Sequence, residues 1–477
     1  MADECTAGPG VAWDPADPVA GEVRWRRGPV PSCPVRFTTS EIAAATGGEV
    51  FGRETEVEGA SIDSRSLTVG QLFVPIVAGR DGHDYIGTAV AEGAPAYLTS
   101  GPIGAATAVR VDDTARALTD LGRRARGRLA GEVIGITGSV GKTSLKDLLR
   151  AVAGTTWSTH ASVGSFNNEL GVPLTLVDAP DDAGVVVVEM GARGIGHVAE
   201  LCEVARPSVG VVTVVAGAHL EHFGSLAAIA AAKGELVESV PASGLAVLNA
   251  DDELVAAMAS RTEARVLTFG RHHGEVRAEH LEVDDQLRAR FVLRSPWGPV
   301  HVLLGVAGEH QVTNALGAAA AALGLGASPE AVAEGLARAE LSAGRMHLRT
   351  AVDGTRVLDD AYNANPTSMA AALRSLAALP ADRRVAVLGT MAELGPTAHA
   401  DHDAIAALAA DLGIEVVAVA EPRYGRGAHH VAEPAAVAVA AGLVGSGRGS
   451  HVAVLVKASR SAGLERVVDL LLHPVGP

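Results

Sequence analysis

Thr137-Gly138-Ser139-Val140-Gly141-Lys142-Thr143-Ser144 follows a short apolar run, Val133–Ile136, and leads into a helical pattern from about Lys142. A strand, a glycine-rich turn and a helix N-terminus in that order form a cradle for phosphate groups. The turn's amides and the helix dipole both face the anion. Gly138, Ser139, Gly141, Lys142, Thr143 and Ser144 are therefore the candidate phosphate-binding residues. Lys142 would hold the β- and γ-phosphates of a nucleotide, and Thr143 would ligate Mg²⁺. The commoner motif has a glycine five positions before Gly141, where this chain has Ile136; Gly138 makes a tighter Gly-x-x-Gly-Lys-Thr form.

Further chemistry sits at the ends of other apolar runs. Glu189 closes Val185–Val188. A carboxylate at the C-terminal end of a buried parallel strand is where a second metal-binding group belongs. His219 follows the run Val209–Val215. A histidine there can ligate a metal, although a lone histidine is more often structural. Lys233 comes fourteen residues later on a helical stretch, Ser225–Val240, and taken alone reads as a solvated charge. Asn249 closes Leu245–Leu248 and either contacts a nucleotide or forms an Asx turn.

These residues need a scaffold, and 477 residues suggest about three domains. A hydrophobic fraction of 48% with 20% charged residues excludes disorder throughout and lets each domain bury its own core. Aromatics are 3%, so Ala, Val and Leu must fill those cores. The net charge of −16 argues against nucleic-acid binding by bulk electrostatics. An anionic substrate would need a local basic or amide-rich pocket. Cys5, Cys33 and Cys202 are scattered, with neither metal spacing nor a disulfide framework, which fits the cytoplasm. No apolar run reaches about 18 residues, so no membrane insertion is expected, and the N-terminus lacks an apolar signal core.

The pattern predicts an α/β protein. Residues 1–34, rich in Pro, Gly and charge, read as a disordered extension whose Arg24-Trp25-Arg26-Arg27 is a solvated arm or a basic contact patch. Residues 35–128 read as a small α/β N-terminal domain: a helix capped by Thr39 or Ser40 and running through Ala45, a strand within Gly70–Ile76, a helix His83–Gly93 and a strand Ala96–Leu98. In residues 129–343 the apolar runs alternate with helices, notably Ser225–Val240 and His310–Leu325. That alternation predicts a central parallel sheet of the P-loop ATPase type with helices on both faces. Residues 344–477 carry strands at Arg356–Asp359, Arg384–Leu388, Val416–Val419 and Val452–Val456, and a helix Pro366–Leu379, a smaller doubly wound, Rossmann-like domain.

Taken in order, several blocks resemble the Mur ligase family, the ATP-dependent amide ligases of peptidoglycan precursor synthesis. They are Asp63-Ser64-Arg65, Asp81-Gly82-His83-Asp84, the phosphate loop, Ser165-Phe166-Asn167-Asn168-Glu169-Leu170-Gly171-Val172-Pro173, Glu189-Met190-Gly191-Ala192 and His219-Leu220-Glu221. Gly344-Arg345-Met346-His347, Asp359-Asp360-Ala361-Tyr362-Asn363-Ala364-Asn365-Pro366 and Met391-Ala392-Glu393-Leu394-Gly395 complete the series. The likeness spans about residues 59 to 470. It implies a UDP-substrate domain, a central ATPase domain and a Rossmann-like ligase domain, in a monomer. It implies that a UDP-linked muramoyl tripeptide and a dipeptide such as D-alanyl-D-alanine are joined, with ATP and Mg²⁺.

The resemblance also implies roles. Thr143, Glu189, His219 and a carbamylated Lys233 would hold Mg²⁺. Asn249 and Asp360 would contact ATP, and Arg345 would reach the phosphates from the third domain. Ser64 and Arg65 would lie near the uridine nucleotide, Asn167 and Asn168 near the muramoyl peptide, and Asn363 and Asn365 on the substrate side. Lys142, Lys233, His219 and Arg345 form the expected catalytic set. The chain departs from the family at Val214, where Asn is common, at Thr390 in place of Asp, and at Ala458 in place of Gly. These departures leave room for a paralog joining another acid and amine in specialised metabolism. A non-ligating nucleotide switch is a further alternative, although a switch has no need of Lys233, Arg345 and the Tyr362–Pro366 block together.

Overall fold

A computed structural model describes residues 36–104, 106–217, 220–434 and 451–473. The proposed extension 1–34, with Arg24–Arg27, and His219 lie outside the described residues. Among the described residues no helix is long and apolar enough to cross a membrane.

The centre is a nine-stranded sheet. Across it the strands run Thr159–Ala161, Val185–Glu189, Glu132–Thr137, Val209–Val212, Leu245–Asn249, Arg265–Gly270, Val276–Val283, Arg288–Arg294 and Val300–Ala307. The first six are parallel. Val185–Val188 are at most 1% exposed because both faces of this part are covered, which explains why the strand reads as an unbroken β-branched run. The strand beginning at Val209 ends at Val212, short of Val215, and residues 213–216 instead run alongside the phosphate loop.

The sheet is not parallel throughout. Val276–Val283, Arg288–Arg294 and Val300–Ala307 form an antiparallel meander at one edge. Its middle strand alternates, with Ala289, Phe291 and Leu293 buried and Arg290 and Arg294 exposed. One face joins the central core and the other meets solvent, the usual condition of an antiparallel edge.

The third stretch of chain forms a six-stranded sheet ordered His347–Thr350, Arg356–Asp359, Val452–Lys457, Arg383–Leu388, Glu415–Val419 and His429–Val431. All neighbours are parallel except the first pair. Asn365 caps the helix Pro366–Ala378, and Pro366 occupies its first turn, where a missing N–H costs nothing.

The first stretch forms a two-stranded and a five-stranded sheet. Its first helix, Thr39–Thr46, is capped by Thr38, one residue earlier than the sequence suggests, in a reciprocal pairing with Glu41. This region buries a small core of its own around Phe73 and Tyr97, and shares a larger one with the centre. Leu118, Leu121 and Ala125 on the helix Thr114–Arg126 share one apolar cluster with Val172 and Leu176 of the helix Gly171–Asp178 and with Val133, Val186 and Val188 of the central sheet. Each fully buried leucine contributes about 1.5–3 kcal/mol to that cluster. The two helices meet at Gly122, where a Cβ would stand 2.8 Å from Pro173 Cα. Gly122→Val should therefore lower stability by about 1–3 kcal/mol through overpacking. A denaturation midpoint equal to that of the unsubstituted protein would show that the helices have room to separate.

Candidate active site

The phosphate loop is shaped by its two glycines. Gly138 has φ 149° and Gly141 φ 86°, conformations that disfavour side chains. A Cβ on Gly138 would fall 1.8 Å from Thr213 Oγ1, and one on Gly141 would fall 2.4 Å from Asn314 Oδ1. The neighbouring chain holds the loop in place. Ser139 N donates to Val214 O at 2.8 Å, Ser139 Oγ to Ala216 O at 2.9 Å, and Thr213 Oγ1 to Val140 O at 2.6 Å. Asn249 Nδ2 donates to Thr213 O at 2.8 Å, so this asparagine braces the loop from behind. Lys142 Nζ folds back on Gly138 O at 2.7 Å. Burial lowers its pKa; Glu189 opposes that shift and the Arg345 charge adds to it.

Glu189 is 1% exposed and has both oxygens engaged. Thr143 Oγ1 donates to Oε2 at 2.7 Å and Asn167 Nδ2 to Oε1 at 2.8 Å. Arg345 Nη2, from the third stretch of chain, donates to the same Thr143 hydroxyl at 2.9 Å. Its guanidinium carbon lies 4.4 Å from the centroid of the Tyr362 ring, a cation–π contact. The Tyr362 hydroxyl hydrogen-bonds that of Ser165. A second arginine, Arg460, stands 5.8 Å from the same ring.

These groups line a cavity of about 1220 Å³, larger than the roughly 300–1,000 Å³ usual for one small ligand. Lys142, Thr143, Glu189, Lys233 and Arg345 converge there, as do Asn167 and Asn168. Lys233 is not the solvated charge that its helix position alone suggests. It is 3% exposed, and burial followed by the Lys142 charge drives its pKa well below the usual lysine value.

Other expected contacts are already occupied within the protein. Asp360 lines the cavity, but its Oδ2 accepts from Lys457 Nζ at 2.6 Å and its Oδ1 from Met346 N at 3.2 Å. Asn168 Oδ1 accepts from Gly171 N at 3.0 Å, and Asn365 Oδ1 from Ser368 N at 2.9 Å, so both work as turn or cap residues. Asn363 O accepts from Lys457 Nζ at 2.7 Å. Ser64 and Arg65 do not line this cavity; Arg65 pairs with Asp63 at 2.7 Å. His219 cannot be placed against Glu189, since it lies outside the described residues. Lys457 and Tyr362 are site residues that reasoning on the sequence left without a role. Lys457 ends the apolar strand Val452–Lys457 as Glu189 ends Val185–Glu189, and that placement was the available signal.

Of the three departures from the family pattern, only Val214 lines the cavity. Ala458 is fully buried, close to where a Cβ on Gly389 would lie. Thr390 Oγ1 accepts from Arg423 Nη2 at 3.1 Å, away from the cleft.

Comparison with known proteins agrees with this geometry. Residues 136–322 match the Mur ligase middle domain, and residues 344–474 match the Mur ligase glutamate ligase domain. The UDP-N-acetylmuramoyl-tripeptide–D-alanyl-D-alanine ligase of Mycobacterium tuberculosis strain H37Rv is 41% identical, over 92% of this chain and 98% of its own length. The enzyme of the same name from Escherichia coli K12 is 35% identical over the same shares. A crystal structure of MurF from Acinetobacter baumannii superposes with a TM-score of 0.82 at 31% identity, covering 93% of this chain and 100% of that one. MurF ligase from Thermotoga maritima in complex with ADP gives 0.75 at 26% identity, over 87% and 96%. With the phosphate loop, the buried Glu189 and the incoming Arg345 in one cleft, and with relatives matched along nearly their whole length, the chain belongs to the Mur ligase family.

Proposed function

We propose that this protein joins D-alanyl-D-alanine to UDP-N-acetylmuramoyl-tripeptide in the cytoplasm, converting ATP to ADP and phosphate. Its substrate, ATP and ligase domains would span 35–128, 129–343 and 344–477. One observation carries the reading: Arg345 crosses from the third stretch of chain to Thr143 on the phosphate loop, beside Glu189. A nucleotide switch needs no such reach from a second unit. A ligase does, because its phosphoryl donor, acid and amine must meet.

The chemistry follows from the poor leaving group of a carboxylate. A carboxylate oxygen of the acid attacks the γ-phosphorus and ADP departs, leaving an acyl phosphate. The dipeptide amine then attacks the acyl carbon, phosphate leaves, and the amine gives up a proton. Lys142 and Arg345 neutralise negative charge in both steps, and they do so from fixed positions. Asn167 orients Glu189 through the 2.8 Å bond described above.

Mg²⁺ fits the donor set. The described residues hold no cluster of three or more His, Cys, Asp or Glu. Mg²⁺ does not need one, since it takes one or two carboxylates with phosphate oxygens and water. Glu189 and Thr143, whose oxygens lie 2.7 Å apart, would hold it, and it would supply charge neutralisation at the phosphates. Lys233 would complete the site as a carbamate. The depressed pKa favours the neutral, nucleophilic amine. The nitrogen bonds to the carbon of CO₂ and releases one proton, and the resulting anion faces the positive charge of Lys142.

A mass-spectrometric product screen of UDP-muramoyl peptides against dipeptides tests the reading. UDP-N-acetylmuramoyl-tripeptide with D-alanyl-D-alanine should be the best pair, because Thr390 and Ala458 sit outside the cleft. A clearly better foreign pair would make the protein a paralog with another product. Lys142→Ala should reduce kcat by more than about tenfold, or ~1.4 kcal/mol of barrier, with the fold intact; a smaller loss measured by ADP release would remove Lys142 from the mechanism. Lys233→Ala should lose most activity and regain part of it with short carboxylic acids, which supply the missing anion. Near-normal turnover without any rescue would rule out the carbamate.

A further inference from the structure

The helix that begins at Lys142 carries a second lysine one turn on. Lys146 is 2% exposed and does not line the cavity. Its Nζ donates to Ser162 O at 2.7 Å and to Gly164 O at 2.7 Å, and lies 3.1 Å from Asp147 Oδ1. Two carbonyls that accept hydrogen bonds and one paired carboxylate thus surround one ammonium, a convergence that a planar guanidinium cannot reproduce. A buried charge so fully satisfied is costly to leave half-paired, so the segment that supplies the carbonyls is held firmly.

That segment leads into the wall of the cavity that Asn167 ties to the phosphate-loop helix through Glu189. Ser165, Asn167, Asn168 and Glu169 line the cavity immediately after Gly164. Val163 is 67% exposed, so side-chain burial at that position does not fix the segment. Ser162 also receives Glu189 N on its Oγ at 3.2 Å. On the other side of the ion pair, Asp147 Oδ2 accepts from Ser342 N at 2.7 Å. Ser342 lies three residues before Arg345. Lys146 and Asp147 therefore join the phosphate-loop helix to the Ser162–Asn168 segment and to the link that delivers Arg345.

We propose that Lys146 is a positioning residue for the acid substrate. Through the carbonyls of Ser162 and Gly164 it sets the distance between the phosphate loop and the Asn167–Asn168 edge, and hence between the γ-phosphate and the attacking carboxylate. This rests on the reading of that edge as the muramoyl-peptide side. A 1 Å misplacement of reacting groups costs roughly 10²-fold in rate, so a loosened segment has a large kinetic effect.

The test compares Lys146→Met and Lys146→Arg with the unsubstituted enzyme, in steady-state kinetics and in amide hydrogen exchange. Lys146→Met should raise KM for UDP-N-acetylmuramoyl-tripeptide by about tenfold or more and lower kcat, while KM for ATP changes less than about twofold. Lys146→Arg keeps the charge and guards against loss of folding. It should still raise KM for the acid, because its fork cannot meet both carbonyls and the carboxylate. Peptides covering residues 162–168 should exchange faster in both variants, with residues 132–137 unchanged. A purely structural lysine predicts a lower melting temperature with all KM values preserved, and that result overturns the proposal. So does unchanged exchange at 162–168, a readout independent of turnover. If the unsubstituted enzyme fails to join the named pair, the functional reading falls, and the exchange data still decide the role of Lys146.

Discussion

A carboxylate 1% exposed at the end of a β-strand is costly to bury without donors, and Glu189 finds them in Thr143 and Asn167. Much of the site depends on meeting that demand. Thr143 lies at the start of the phosphate-loop helix, so satisfying Glu189 fixes the helix against the strand. Asn167 belongs to another wall of the cavity, so the same carboxylate fixes that wall too. The Thr143 hydroxyl, having given its proton to Glu189, is left with lone pairs, and Arg345 takes one of them. Three distant stretches of chain are thereby brought to one buried negative charge.

The cations follow a related logic. The chain as a whole carries a net charge of −16, yet Lys142, Lys233, Arg345 and Lys457 all line the same cleft. These cations are gathered locally, beside carboxylates such as Glu189 and Asp360 that line the same cleft, where a low-dielectric wall strengthens each charge's effect on its neighbours. Burial first, and like charges after it, lower the pKa values of Lys142 and Lys233. Two strained backbone positions lie there as well. Met346 at φ 53° and Glu393 at φ 61° are non-glycine residues in left-handed conformations, and both line the cavity.

The phosphate loop was legible because its chemistry is local: glycine, lysine and threonine act where they stand in the chain. The parallel strands were legible for a similar reason, each being a short β-branched run. The meander at Val276–Ala307 escaped notice although Arg288–Arg294 alternates as a half-buried strand should. Roles that depend on a distant partner were harder to see. No spacing announces that Asn249 spends its amide on Thr213 O, or that Asp360 is claimed by Lys457. Lys233 looked like any helix lysine because burial is a property of the packed molecule. The merging of the first core with the central one was likewise hidden, since hydrophobic content says how much will be buried but not against what.

That merged core limits how the protein can be rebuilt by recombination. The helix Thr114–Arg126 packs on the helix Gly171–Asp178, which lies against one face of the central sheet, and Gly122 is cut to the contour of Pro173. A foreign first region spliced onto the rest would arrive without that contour and would leave the apolar outer side of the helix Gly171–Asp178 poorly covered. The third stretch of chain keeps one apolar cluster wholly its own, and to its other cluster the central meander lends only Leu287 and Ala307. Domain shuffling in such a lineage should therefore leave the first two regions inherited together, while the third remains free to change partners.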